Sequence, residues 1–126
     1  MKTAHDLVTA AKSRIREVPL ERAEQTVREA DLVLDVREAD EYAAGHLPGA
    51  VLVPRGLLEF KLSSTPELGA RDRKVVVYCK SGGRSALAAL AMQDMGYLDV
   101  WSLAVGFDGW AAAGLPVNKP EQPTYD

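Results

Sequence analysis

A chain of 126 residues, 47% of them hydrophobic, has the size of one domain and enough apolar material for a core. Its formal net charge of -3 provides no global basic field, so no nucleic-acid or membrane partner is expected and any anion site must be local. The single cysteine, Cys79, excludes an internal disulfide framework and any redox cycle with a second cysteine of the chain.

In chain order, residues 3 to 17 set Leu7, Ala10, Ala11 and Ile15 on one stripe among charges and predict an amphipathic helix. The charges of residues 1–18 leave no signal-peptide core or membrane span there, so cytoplasm is the default location. Pro19 ends that pattern, and Leu20 to Ala30 predicts a second helix starting just past the proline. Asp31 to Asp35 reads as a short buried strand. Glu38 to Ala44 reads as a short helix closed by Gly45, the Pro48-Gly49 pair marks a turn, and Val51 to Val53 is another strand. Gly56 to Leu62 predicts a brief helix, and Ser63 to Asp72 reads as polar loop. Val75 to Tyr78 has no polar face and predicts a fully buried strand in the middle of a parallel sheet. Arg84 to Met95 is helical in spacing, Asp99 to Leu103 is a strand, and Gly106 to Ala113 a last helix ended by Gly114 and Pro116. Asn118 to Asp126 reads as a loose tail. The alternation implies an α/β fold with a central, mostly parallel sheet flanked by helices on both faces. Three segments follow: an N-terminal helix (1–18), the domain proper (19–117) and the tail (118–126).

Between the central strand and its helix lie Cys79, Lys80, Ser81, Gly82, Gly83, Arg84 and Ser85. A free cysteine at a strand end is ordinarily a small buried hydrophobe. Here the two glycines let the backbone curl, so that amide groups and a helix N-terminus converge on the sulfur, with Lys80 and Arg84 adding positive charge. Such surroundings favour thiolate, the nucleophilic form. A cation at Arg84 opposes the helix dipole unless an anion lies nearby, which points to an anion-binding role.

The chain resembles the single-domain rhodaneses, a family of sulfurtransferases. The resemblance spans roughly residues 19 to 117. It rests on Asp35-Val36-Arg37-Glu38, Glu41-Tyr42, Gly45 to Ala50, the Cys79 loop, and Gly106 with Trp110 and Gly114 to Val117, in that order. It implies that Cys79 takes the outer sulfur of a small anionic donor such as thiosulfate, becomes a persulfide, and passes that sulfur to cyanide, a thiol or a sulfur-accepting protein. It also implies that the amides of Lys80 to Ser85 hold the persulfide, while Lys80 and Arg84 attract the donor and stabilise departing sulfite. No metal and no organic cofactor is implied.

Loop length separates relatives. In tyrosine-phosphatase-like loops the arginine stands six positions after the cysteine, whereas Arg84 stands five after Cys79, the shorter form suited to a sulfur atom. Asp35 and Arg37 read as a strand-end ion pair, or as partners of Glu41, that supports the site without touching substrate. His46 reads as part of a structural turn, since a thiolate needs no general base, and Trp110 reads as a core anchor. Val105, where many relatives carry a second glycine, puts the geometry of that turn in question. The alternative to an enzyme acting on thiosulfate is a persulfide carrier serving a partner protein, with the N-terminal helix as its docking surface.

Overall fold

The computed structural model describes residues 1–119. Helix α1 (Ala4–Lys12) starts on a reciprocal cap in which Asp6 N–H donates to Thr3 Oγ1 and Thr3 N–H donates to Asp6 Oδ2. It stops at Lys12, three residues before β1 (Arg16–Val18), so Ile15 lies outside the helix and packs on the core. The end of the predicted N-terminal helix, from Arg16, is therefore an edge strand, and the sheet begins before residue 19. Helix α2 (Leu20–Glu29) follows Pro19, which caps it in an extended conformation. Then come β2 (Leu32–Asp35), α3 (Ala39–Ala44) and β3 (Val51–Leu52), with Gly45 at φ 151 closing α3.

A 3-10 turn at Arg55–Leu57 leads into α4 (Leu58–Ser64). The expected polar loop over 63–72 holds a second 3-10 turn, Pro66–Leu68, because Leu68 is buried and its carbonyl accepts from the Tyr97 hydroxyl at 2.6 Å. The remaining elements are β4 (Lys74–Tyr78), α5 (Gly83–Asp94), β5 (Asp99–Leu103) and α6 (Gly106–Ala112). Asn118 pairs with His46 in an antiparallel bridge, and the rest of the expected tail, from residue 120, lies outside the described residues.

Within the five-stranded sheet every pairing is parallel, in the order β1-β5-β4-β2-β3. Central β4 is apolar on both faces, and its side chains alternate between two cores. Val75, Val77 and Cys79 face the core formed with α4 and α5, while Val76 and Tyr78 face the core built around Ala23 of α2 and Trp110 of α6. Helices thus cover both faces, as a parallel sheet requires. No helix among the described residues is long and apolar enough to cross a membrane. The decisive placement is the carboxyl end of β4, where the chain turns from one half of the sheet toward the other; ligand sites in α/β sheets form at such points.

Candidate active site

Cys79 leaves the end of β4 with 1% of its surface exposed. The loop behind it is fixed by α6, whose first turn has amide groups without helical partners. Phe107 N–H donates to the Cys79 carbonyl at 2.8 Å and Asp108 N–H to the Lys80 carbonyl at 3.1 Å. With these carbonyls held by α6, amides on the opposite side of the loop turn inward. Gly82 N–H donates to Cys79 Sγ at 3.1 Å and Ser85 N–H at 3.4 Å, and the Ser81 amide faces the same atom. Of the six amides expected to surround the sulfur, those of Ser81, Gly82 and Ser85 do so. The Ser85 hydroxyl lies 3.5 Å from Sγ. Burial alone pushes this thiol up, yet the Ser85 hydroxyl and the three amides outweigh it and hold Cys79 below its ordinary value. These donors therefore favour the anionic form of Sγ relative to an ordinary thiol.

The two cations of the loop are not free. Arg84 makes a bidentate pair with Glu41 of α3, at 2.7 and 3.0 Å. That bond, outweighing the upward push of burial, holds the Glu41 carboxyl down at about 2, and Glu41 in turn raises the Arg84 value. The anion that compensates Arg84 at the start of α5 is thus one of the protein's own carboxylates. Lys80 Nζ lies 3.4 Å from Asp108 of α6, and both side chains are more than half exposed. The sequence offered Asp35 and Arg37 as partners of Glu41, whereas its partner is Arg84; the mismatch of Arg84 with the helix dipole was the available signal.

Asp35 and Arg37 form a buried pair beneath the loop. Arg37 donates through Nε and Nη2 to Asp35, and through Nη2 to the Gly45 carbonyl at 2.7 Å. Tyr78 Oη donates to Asp35 at 2.7 Å and accepts from Leu47 N–H. The Arg37 guanidinium also lies over the Phe107 ring, 4.4 Å from its centre. The pair thereby ties β2, β4 and α6 together behind Cys79, and Glu41 is engaged elsewhere. His46 stacks on Tyr42 at 3.8 Å, and its Nδ1 meets the Tyr42 carbonyl at 3.0 Å. Trp110 is buried, with its indole N–H on the Pro116 carbonyl. Val105 takes φ -88, which suits any residue, and the positive φ falls on Gly106; Gly109 leaves the room that the Val105 side chain occupies.

Two contributors had no signal in the sequence. Ser102, fully buried on β5, donates to Ser85 Oγ at 2.8 Å. Helix α1 borders the loop: a Cβ on Gly83 would lie 3.8 Å from Val8, and one on Gly82 would lie 3.7 Å from Lys12 Nζ, whose ion-pair partner is Glu17. Among the described residues no group of three His, Cys, Asp or Glu side chains is placed to hold a metal.

A family model described as the rhodanese-like domain matches residues 19–113. The chain belongs to that family. A sulfurtransferase of Allochromatium vinosum is 35% identical over 109 residues, covering 85% of this chain and 98% of its own length. The thiosulfate sulfurtransferase GlpE of Haemophilus influenzae is 30% identical over 104 residues, covering 82% and 94%. The putative sulfur carrier protein YrkF of Bacillus subtilis is 37% identical over 100 residues, covering 78% of this chain and 52% of the carrier. Among solved structures, a Rhodopseudomonas palustris protein of unknown function, described as a possible tyrosine phosphatase, superposes with a TM-score of 0.79 at 29% identity, covering 94% and 96%. At the family level this rhodanese is a sulfurtransferase.

Proposed function

We propose that this rhodanese moves a sulfane sulfur through a persulfide on Cys79, with thiosulfate or a similar small anion as donor and a thiol or cyanide as acceptor. The observation that carries the proposal is the convergence of the Ser81, Gly82 and Ser85 amides on one buried sulfur held below its ordinary thiol value. In the first step the Cys79 thiolate attacks the outer sulfur of the donor. A new S–S bond forms, the S–S bond within thiosulfate breaks, and its electron pair leaves with sulfite. In the second step the acceptor attacks the outer persulfide sulfur, and the Cys79 thiolate returns. The ring of amides offers the same donors to thiolate and to persulfide anion, so neither step leaves a buried negative charge without partners. A phosphatase is disfavoured by the position of Arg84, five residues after Cys79.

One observation favours the carrier as a second reading. Arg84 and Lys80 are each matched by a carboxylate, Glu41 and Asp108, so the loop presents little free positive charge to a dianionic donor. A persulfide received from a protein or a small thiol would need none.

Intact-protein mass after incubation with thiosulfate, and again after cyanide, tests the cycle. The expected result is a gain of one sulfur atom that cyanide removes, with no gain in Cys79→Ser. A mutant that kept cyanide-dependent turnover would remove Cys79 from the mechanism. A wild-type chain that gains sulfur from a persulfide donor and none from thiosulfate would establish the carrier reading instead.

A further inference from the structure

Ser85 and Ser102 are both fully buried, on α5 and β5, and their hydroxyl oxygens lie 2.8 Å apart. On the far side of Ser85 Oγ, at 3.5 Å, is Cys79 Sγ. Two hydroxyl protons therefore enter a closed pocket whose acceptors must be counted. Among the described residues, the Ser102 proton has Ser85 Oγ as its only acceptor, and the Ser85 proton has only Sγ or Ser102 to meet.

If Sγ keeps its proton and donates it to Ser85, that oxygen receives hydrogens from both sides while its own hydrogen has no acceptor. A buried polar hydrogen without a partner is costly. If Sγ is a thiolate, the donors run in one direction, from Ser102 to Ser85 and from Ser85 to sulfur, and every proton is used. The reversed order, Ser85 donating to Ser102, leaves the Ser102 proton unpaired and takes a hydrogen bond from the sulfur.

We infer that Ser102 is a positioning residue, which turns the Ser85 hydroxyl proton toward Cys79 and so favours the anionic sulfur. The inference rests on Cys79 being the reactive group. It adds to that reading a hydroxyl relay entering from a strand that does not belong to the loop. The charged groups around the sulfur are the pairs Arg84 with Glu41, Lys80 with Asp108 and Lys12 with Glu17, and beneath the loop Asp35 with Arg37. Among the described residues none of them is hydrogen-bonded to the Ser102 side chain, which meets Ser85.

The test is the rate at which iodoacetamide alkylates Cys79, the sole cysteine, measured by intact mass as a function of pH. Ser102→Ala moves the midpoint up by about one pH unit, and Ser102→Thr, which keeps the hydroxyl, restores it. Ser85→Ala moves it up at least as far, and adding Ser102→Ala to that background moves it no further, because Ser102 acts through Ser85. An unmoved midpoint in Ser102→Ala overturns the inference, as does a shift that adds in full to that of Ser85→Ala. Should Ser102→Ala fail to fold, Ser102→Thr and Ser102→Val carry the same comparison, being alike in shape with and without the hydroxyl. Alkylation needs no sulfur donor. A chain that titrates as expected but accepts no sulfur would refute the proposed activity alone, and one that transfers sulfur with an unmoved midpoint would refute the relay alone.

Discussion

Gly82 and Gly106 hold the two backbone approaches on which the sulfur site depends. Gly82 has φ +100, and a Cβ there would come within 2.6 Å of the Ala104 carbonyl oxygen; Gly106 has φ +62, and its Cβ would collide with the Lys80 carbonyl. Gly49 also has positive φ, +76, with open space around it. Alanine at Gly49 is therefore expected to cost only the backbone penalty, about 1 kcal/mol. At Gly82 or Gly106 the collision adds to that penalty, for about 3 kcal/mol or more. Urea unfolding midpoints of the three variants check the order, and equal costs would show that the close approaches relax freely. A second prediction at this scale concerns Arg84. Glu41→Gln keeps an oxygen to accept from Glu38 N–H but removes the charge that neutralises the guanidinium. If Arg84 meets an anionic donor, KM for thiosulfate falls roughly fivefold with kcat little changed, in keeping with the worth of a rim charge. An unchanged KM would make Arg84 a structural partner of Glu41 only. The sequence showed Cys79 and its loop because their residues are contiguous. It did not show Glu41, Ser102 or Lys12 at the site, because each arrives from another element.

At the scale of elements, sequence and structure part most clearly before residue 19. The stripe Leu7, Ala10, Ala11 and Ile15 has helical spacing, but Ser13 caps α1 and the chain re-forms as β1, paired with β5 from Arg16 to Val18. A strand of three residues on a sheet edge is too short to show a period of two, so its pairing across the chain is invisible locally. Leu68 posed the opposite problem, an apolar residue within a polar stretch whose burial depends on Tyr97. The long runs were legible, since β4 is a continuous apolar stretch and α5 a twelve-residue helix. The placement of α1 makes it a wall of the site, with Ala11 buried and Val8 beside Gly83. Removing residues 1–12 while keeping β1 is thus expected to lower the melting temperature. It should also speed hydrogen exchange of the Gly82 to Ser85 amides, on the order of tenfold. If α1 served only to dock a partner, exchange in the loop would not change.

For the molecule as a whole, the topology joins groups far apart in the chain, and their shifted titrations give stability a defined pH profile. Glu41, held at about 2 by the Arg84 bond against an ordinary 4.5, contributes stability that is complete above 4.5 and is lost as pH falls toward 2. Cys79 follows the same rule at higher pH. Burial raises its value, the Ser85 hydroxyl and the loop amides together more than offset that rise, and the net value lies below the ordinary 9.0. Its contribution is complete above 9.0 and declines as pH falls through the folded value. Tyr78 has the opposite sign: burial, and then the hydrogen bond to Asp35, raise it above the ordinary 10.0. Its contribution is present below 10.0 and is lost as pH rises beyond it, because the unfolded chain ionises there first. Stability should therefore fall below pH 4.5, rise with pH through the interval under 9.0, and fall again above 10.0. Urea midpoints across this range, under reducing conditions, distinguish the three limbs. Cys79→Ser should flatten the rise below 9.0 and leave the acid limb, whereas Glu41→Gln should weaken the acid limb and leave the rise. Superimposable profiles for wild type and Cys79→Ser between neutral pH and 9.0 would mean that the folded loop does not favour the thiolate, and the chemical argument for Cys79 would lose its basis.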